Sequence, residues 1–169
     1  MAVKDRRKLL GRDHARRWNH RNGVPDGVRR HVLIEEPDVA EAFASWCLLD
    51  GHGYAASWCP GPVGPPRGRC PLVESGRCGL VEDADLVVTS LGLHREPCRD
   101  VVAAIRAVYP EKPVVIEAPQ QLLERWAPLF GGCWTSMRMP VTGRILIEAV
   151  DLALASPGAD GPEDRRPSP

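Results

Sequence analysis

Short apolar runs alternate with amphipathic stretches from residue 31 to residue 155, and that alternation leaves few folds open. HVLIEE (31–36) has the length and apolarity of a strand buried inside a parallel sheet. DVAEAFASWCLLDGHG (38–53) follows with helical spacing. Val39, Phe43, Trp46, Cys47 and Leu49 approximate one face, and Gly51 and Gly53 end the helix. YAASWC (54–59) reads as a second, weaker strand and DLVVTSL (85–91) as a third. REPCRDVVAAIRAVYP (95–110) is a helix with Val101, Val102, Ile105 and Val108 as its apolar stripe. KPVVIEA (112–118) is the fourth strand, and PQQLLERWAPLFGG (119–132) is a helix opened by Pro and closed by Gly. CWTSMRM (133–139) is the fifth strand. TGRILIEAVDLALA (142–155) is the last helix, amphipathic through Ile145, Leu146, Ala149, Val150 and Leu152.

Strict alternation of strand and helix predicts an α/β protein with a doubly wound, five-stranded parallel sheet, flavodoxin-like in its order 2-1-3-4-5. Sites in such sheets form beyond the carboxyl ends of the strands. With 169 residues the chain has room for one well-cored domain, placed at 31–155. Before it, residues 1–30 form a basic extension with a short helix expected around 4–19, broken by NGVPDG (22–27). This arm holds ten Lys/Arg against three Asp, so the body that follows is acidic. After the domain, SPGADGPEDRRPSP (156–169) has the composition of a disordered tail. No signal peptide and no apolar run of membrane-crossing length is present, so the sequence reads as cytoplasmic. Six cysteines in such a chain point towards metal or redox use, or towards small buried hydrophobes, rather than a disulfide framework.

Several stretches together resemble the receiver domain of two-component response regulators, over roughly 31–155. HVLIEEPDVAEAFASWCLLDGHGY resembles the first strand and helix, and DLVVTSLGL the phosphoacceptor strand. VVAAIRAVYPEKPVVIEAP resembles the following helix and fourth strand, and RMPVTGRILIEAV the fifth strand with its Lys-Pro turn and the last helix. The resemblance implies a signal-transduction module whose phosphorylation chemistry can be carried over position by position. The acidic metal cluster is represented by Glu36, Pro37 and Asp38. The acceptor aspartate is Ser90, the switch Ser/Thr is Ala118, and the lysine before the proline is Met139. An alcohol needs a base before it attacks phosphorus, and nothing here replaces the lysine that neutralises the incoming charge. The expectation is a pseudo-receiver: a stand-alone, phosphorylation-independent regulatory module that is not an enzyme.

The same end of the sheet gains cysteines. In the Cys- and Pro-rich loop 59–82, Cys59 ends the second strand and Cys70 and Cys78 follow, while Cys98 opens the helix after the third strand. Four thiolates in tetrahedral array bind zinc or an iron–sulfur cluster, so Cys59, Cys70, Cys78 and Cys98 are candidate ligands, with His94 or Cys47 as substitutes for the fourth. A reversible disulfide within the loop and unbonded structural thiols remain open. Cys47 and Cys133 are assigned to core packing. The alternative function is a thiol-based redox sensor or small thiol enzyme, with Arg67, Arg69 and Arg77 lowering the pKa of a reactive cysteine. A regulatory protein partner, or a second copy in a homodimer, would dock through Trp126, Phe130 and Trp134, and the basic arm is a candidate for nucleic-acid contact.

Overall fold

The computed structural model describes residues 29–64, 69–130 and 134–155. Residues 1–28 of the basic arm with its expected helix, the tail, Arg67 and Cys133 lie outside the described residues. Five strands form one parallel sheet: β1 (His31–Glu35), β2 (Ala55–Cys59), β3 (Leu86–Thr89), β4 (Val114–Ala118) and β5 (Trp134–Arg138). Their order is β2-β1-β3-β4-β5, as the alternation predicts. The helices are α1 (Val39–Gly51), α2 (Pro71–Ser75), α3 (Gly79–Asp83), α4 (Glu96–Val108), α5 (Gln120–Trp126) and α6 (Gly143–Ala155), with a 3₁₀ turn at Ala127–Leu129. The two short helices α2 and α3 stand at 71–75 and 79–83, in and just past the stretch 60–82, which the sequence presents as mostly loop with a short helix or turn near the end.

Period-two alternation sorts the strand residues into two cores. Val32 and Ile34 of β1 turn to one side, where Leu49, Leu86, Val88, Val115, Leu146 and Val150 pack with them. Leu33 turns to the other, among Leu72, Val81, Val87, Val101 and Ile105. Each fully buried Val, Leu or Ile contributes about 1.5–3 kcal/mol by leaving water, so β1 anchors the domain through Val32, Leu33 and Ile34.

The helix faces differ from the sequence expectation. On α1, Ala42 and Leu49 are buried, whereas Val39, Phe43 and Cys47 are exposed. The assignment of Cys47 to the core is therefore corrected: an edge position over β2 leaves the stripe 39–43–47 without a covering layer. On α4 the buried stripe runs through Cys98, Val101, Val102 and Ile105, and Val108 is exposed beyond the last turn over the sheet. On α6, Leu146, Ala149, Val150 and Ala153 face inward, and Ile145 and Leu152 face out. Composition alone could not separate these faces, because apolar residues stand on both.

Candidate functional site

The carboxyl ends of β1, β3 and β4 bring together the positions expected to carry phosphorylation chemistry. Asp38 is the N-cap of α1; its Oδ1 accepts from the Ala40 and Glu41 amides at 2.8 and 3.1 Å. That carboxylate is committed to satisfying a helix terminus. Glu36 accepts at 2.7 Å from the Asp38 amide. β3 is shorter than the sequence suggests and ends at Thr89, so Ser90 stands just past the strand, its amide donating to the Glu35 carbonyl at 2.9 Å. The Ser90 hydroxyl donates to Oε2 of Glu117 at 3.2 Å. Burial, and then neighbouring carboxylates, push the Glu36 pKa up, against hydrogen bonds from the Asp38 amide and Ser90. Burial likewise raises Glu117, against its hydrogen bond from Ser90. Ala118 is buried and offers no hydroxyl, and Met139, half exposed before a cis bond to Pro140, offers no charge.

Two carboxylates thus face the serine where the acceptor would be. Any phosphoryl group entering there meets negative charge, without a lysine at the Met139 position. The sequence reading missed Glu117. The signal was a charged residue in the otherwise apolar β4 run VVIEA, where it needs a polar partner.

A second polar centre lies on the other face of β1. Register pairs Glu35 with Cys59 of β2 on one side and Thr89 of β3 on the other, so these side chains share a sheet face. Cys70 and Cys78 occupy the N-cap positions of α2 and α3. The result is a cavity of about 640 Å³ whose wall includes Glu35, Cys59, Cys70, Cys78, Leu33 and Leu72. Three of the four candidate ligands therefore converge, as the topology implies. Cys98 is fully buried in the core cluster beneath them and does not line the cavity. Cys47 is exposed on α1, and His94 is exposed in the loop after β3. Among the described residues no three ligating side chains already stand at a spacing that would hold a metal ion.

Burial works against thiolate formation at Cys59, Cys70 and Cys98. Burial pushes Cys59 up to about 11, and the nearby Glu35, Cys70 and Cys78 add to the shift against a Gly61 amide. Burial also raises Cys70, opposed by the Val73 and Leu72 amides, and raises Cys98, opposed by Arg95. The arginines expected to lower them are engaged elsewhere: Arg69 pairs with Glu74 at 3.2 Å and Arg77 with Glu82 at 3.2 Å. The turn that delivers Cys59 depends on Gly61, whose φ is +65° and where a Cβ would meet Leu91 Cδ2 at 2.5 Å.

Glu35 itself was not singled out from the sequence. Its side chain is 3% exposed, and Oε2 has no hydrogen-bond partner. Burial pushes its pKa up to about 7, opposed by a hydrogen bond from Thr89.

The aromatic residues expected on a partner surface are half buried. Phe130 and Trp134 stack with centroids 5.8 Å apart, and both pack with Trp126 against Leu93, Val102 and Ile116. Arg99 and Arg125 lie over the Trp126 ring at 4.6 and 5.2 Å.

Solved receiver structures share this architecture. A response regulator receiver domain protein from Clostridium thermocellum superposes with a TM-score of 0.57 at 19% identity, covering 74% of this chain and 94% of that one. A response regulator receiver protein from Sinorhizobium medicae gives 0.56 at 21% identity, covering 75% and 94%. A CheY-like receiver domain protein from Methanospirillum hungatei gives 0.56 at 15% identity, covering 75% and 94%. No family model and no curated protein matches the sequence.

Proposed function

We propose that this chain, which has the receiver fold, is a regulatory module that works without phosphorylation and acts by binding a protein partner. The observation that carries this reading is the lack, among the described residues, of any cation at the acceptor position: Met139 stands where a lysine would neutralise the incoming phosphoryl charge. Glu117 accepts a hydrogen bond from Ser90 and is placed as a base, but with Glu36 it adds negative charge that repels a phosphoryl donor. Ala118 and Met139 lack the hydroxyl and the charge that would couple a phosphoryl group to the rest of the domain. Docking through the face of α5, β5 and α6 fits the exposed rims of Trp126, Phe130 and Trp134, whose packing and cation–π contacts hold them rigid. In each case the support comes from what these residues lack or already bind.

Incubation with acetyl phosphate and Mg²⁺, followed by intact-mass spectrometry, tests the reading. The expected result is an unchanged mass under conditions that fully load an orthodox receiver run in parallel. A phosphoryl adduct mapped to Ser90 overturns it. Pull-down with the Trp126→Ala and Trp134→Ala variants then tests the docking face, and unchanged capture of the partner would remove that assignment.

A further inference from the structure

The cavity beside β1 has a polar group that nothing in the described chain satisfies. Glu35 reaches it from the middle of the sheet, with one hydrogen bond from Thr89 and none to Oε2. Leaving a buried carboxylate oxygen unpaired is costly, and chains retain such a group where something else completes it. The wall also carries three thiols, Asp83 and, at its rim, Arg69 and Arg77. Cys59, Cys70 and Cys78 arrive from three separate elements, and each is an electron-rich, polarisable donor. Among the described residues, the two cations on the rim do not turn inward: the Arg69 and Arg77 side chains are 88% and 80% exposed and pair with Glu74 and Glu82. Leu33, Leu72 and Val81 supply apolar walls, and about 640 Å³ lies within the range of small-molecule sites.

We propose that this cavity binds a small cation, its positive charge meeting the Glu35 carboxylate and its soft or apolar remainder lying against Cys59, Cys70 and Cys78. The inference stands apart from the phosphorylation-independent reading, since it uses the opposite face of β1. The same chemistry has two sources. A zinc-class ion suits the sulfur donors, and it would have to draw them closer than they now stand. An organic ammonium with an apolar body fills the cavity as it is.

The experiment uses the full chain, freed of metal by chelation and kept reduced. Zinc chloride, hexylammonium chloride and, as the neutral control, hexanol are titrated separately. The readouts are the melting temperature and the rate at which iodoacetamide labels each cysteine, resolved by peptide mass spectrometry. One cation is expected to raise the melting temperature and slow labelling of Cys59, Cys70 and Cys78, leaving the exposed Cys47 unchanged. Glu35→Gln is expected to weaken that cation by roughly tenfold or more, the usual cost of removing one partner from a buried charge pair. Protection by zinc assigns the metal source, and protection by hexylammonium but not hexanol assigns the organic one. If Glu35→Gln does not fold, Cys70→Ser decides the zinc case and the hexylammonium-over-hexanol preference decides the other. The proposal is overturned if neither cation protects the cavity thiols, if zinc gives no protection and hexanol matches hexylammonium, or if Glu35→Gln binds the protecting cation as tightly as the parent.

Discussion

Replacing Glu35 by Gln also makes a sharp prediction about stability. In the fold this carboxyl is 3% exposed, and burial raises its pKa from 4.5 to about 7. A shift of that size corresponds to about 3 kcal/mol between the two protonation states. The folded chain therefore holds a proton that the unfolded chain has released between these two values. Stability must fall as pH rises through that window and level off above it. Gln keeps the shape of the protonated acid and cannot ionise. In metal-free buffer, urea unfolding at about pH 5 and about pH 8 should show the variant gaining about 2–3 kcal/mol on the parent between the two. Taking the difference between variant and parent cancels other groups that titrate nearby, such as Glu36 and Glu117. A difference that stays constant from about pH 5 to about pH 8 would refute the claim that Glu35 is buried and uncompensated.

Three further outcomes follow from the geometry. Asp38→Ala removes the cap of α1 and should lower stability by about 1 kcal/mol in urea unfolding, with the m-value unchanged. Gly61→Ala places a Cβ at positive φ against Leu91 and should cost about 1–3 kcal/mol, while Gly76→Ala, with open space around it, should cost only the smaller left-handed penalty of about 1 kcal/mol. Timed alkylation of the native protein should label the exposed Cys47 first and the fully buried Cys98 last, and early loss of Cys98 would show that the α4 packing is wrong.

Much of the fold was legible because it depends on period and order. The alternating runs named every strand and the long helices to within a few residues, and five strands in that alternation suggested the flavodoxin-like order the sheet adopts. Where the sequence misled, the cause was tertiary. Val39, Phe43 and Cys47 are as apolar as a core stripe, yet they stand exposed because, among the described residues, no layer packs over that side of α1. In the stretch 60–82, dense in Pro and Gly, a short helix or turn was expected near the end, where α3 begins, whereas α2 is too short for helical periodicity to register.

The candidate sites divide along the same line. Ser90, Ala118 and Met139 were marked in sequence by the resemblance to receiver domains, and the structure places them at the carboxyl ends of β3, β4 and β5. The convergence of Cys59, Cys70 and Cys78 was half legible: proximity in sequence suggested a cluster, and the sheet order brought its strand beside β1. That Glu117 holds Ser90, and that Glu35 rather than Cys98 lines the cysteine cavity, was decided only by the assembled sheet. Register across parallel strands places side chains about 5 Å apart that lie tens of residues apart along the chain. Burial, which turns an ordinary glutamate into one that titrates at about 7, exists only once the layers have closed over it.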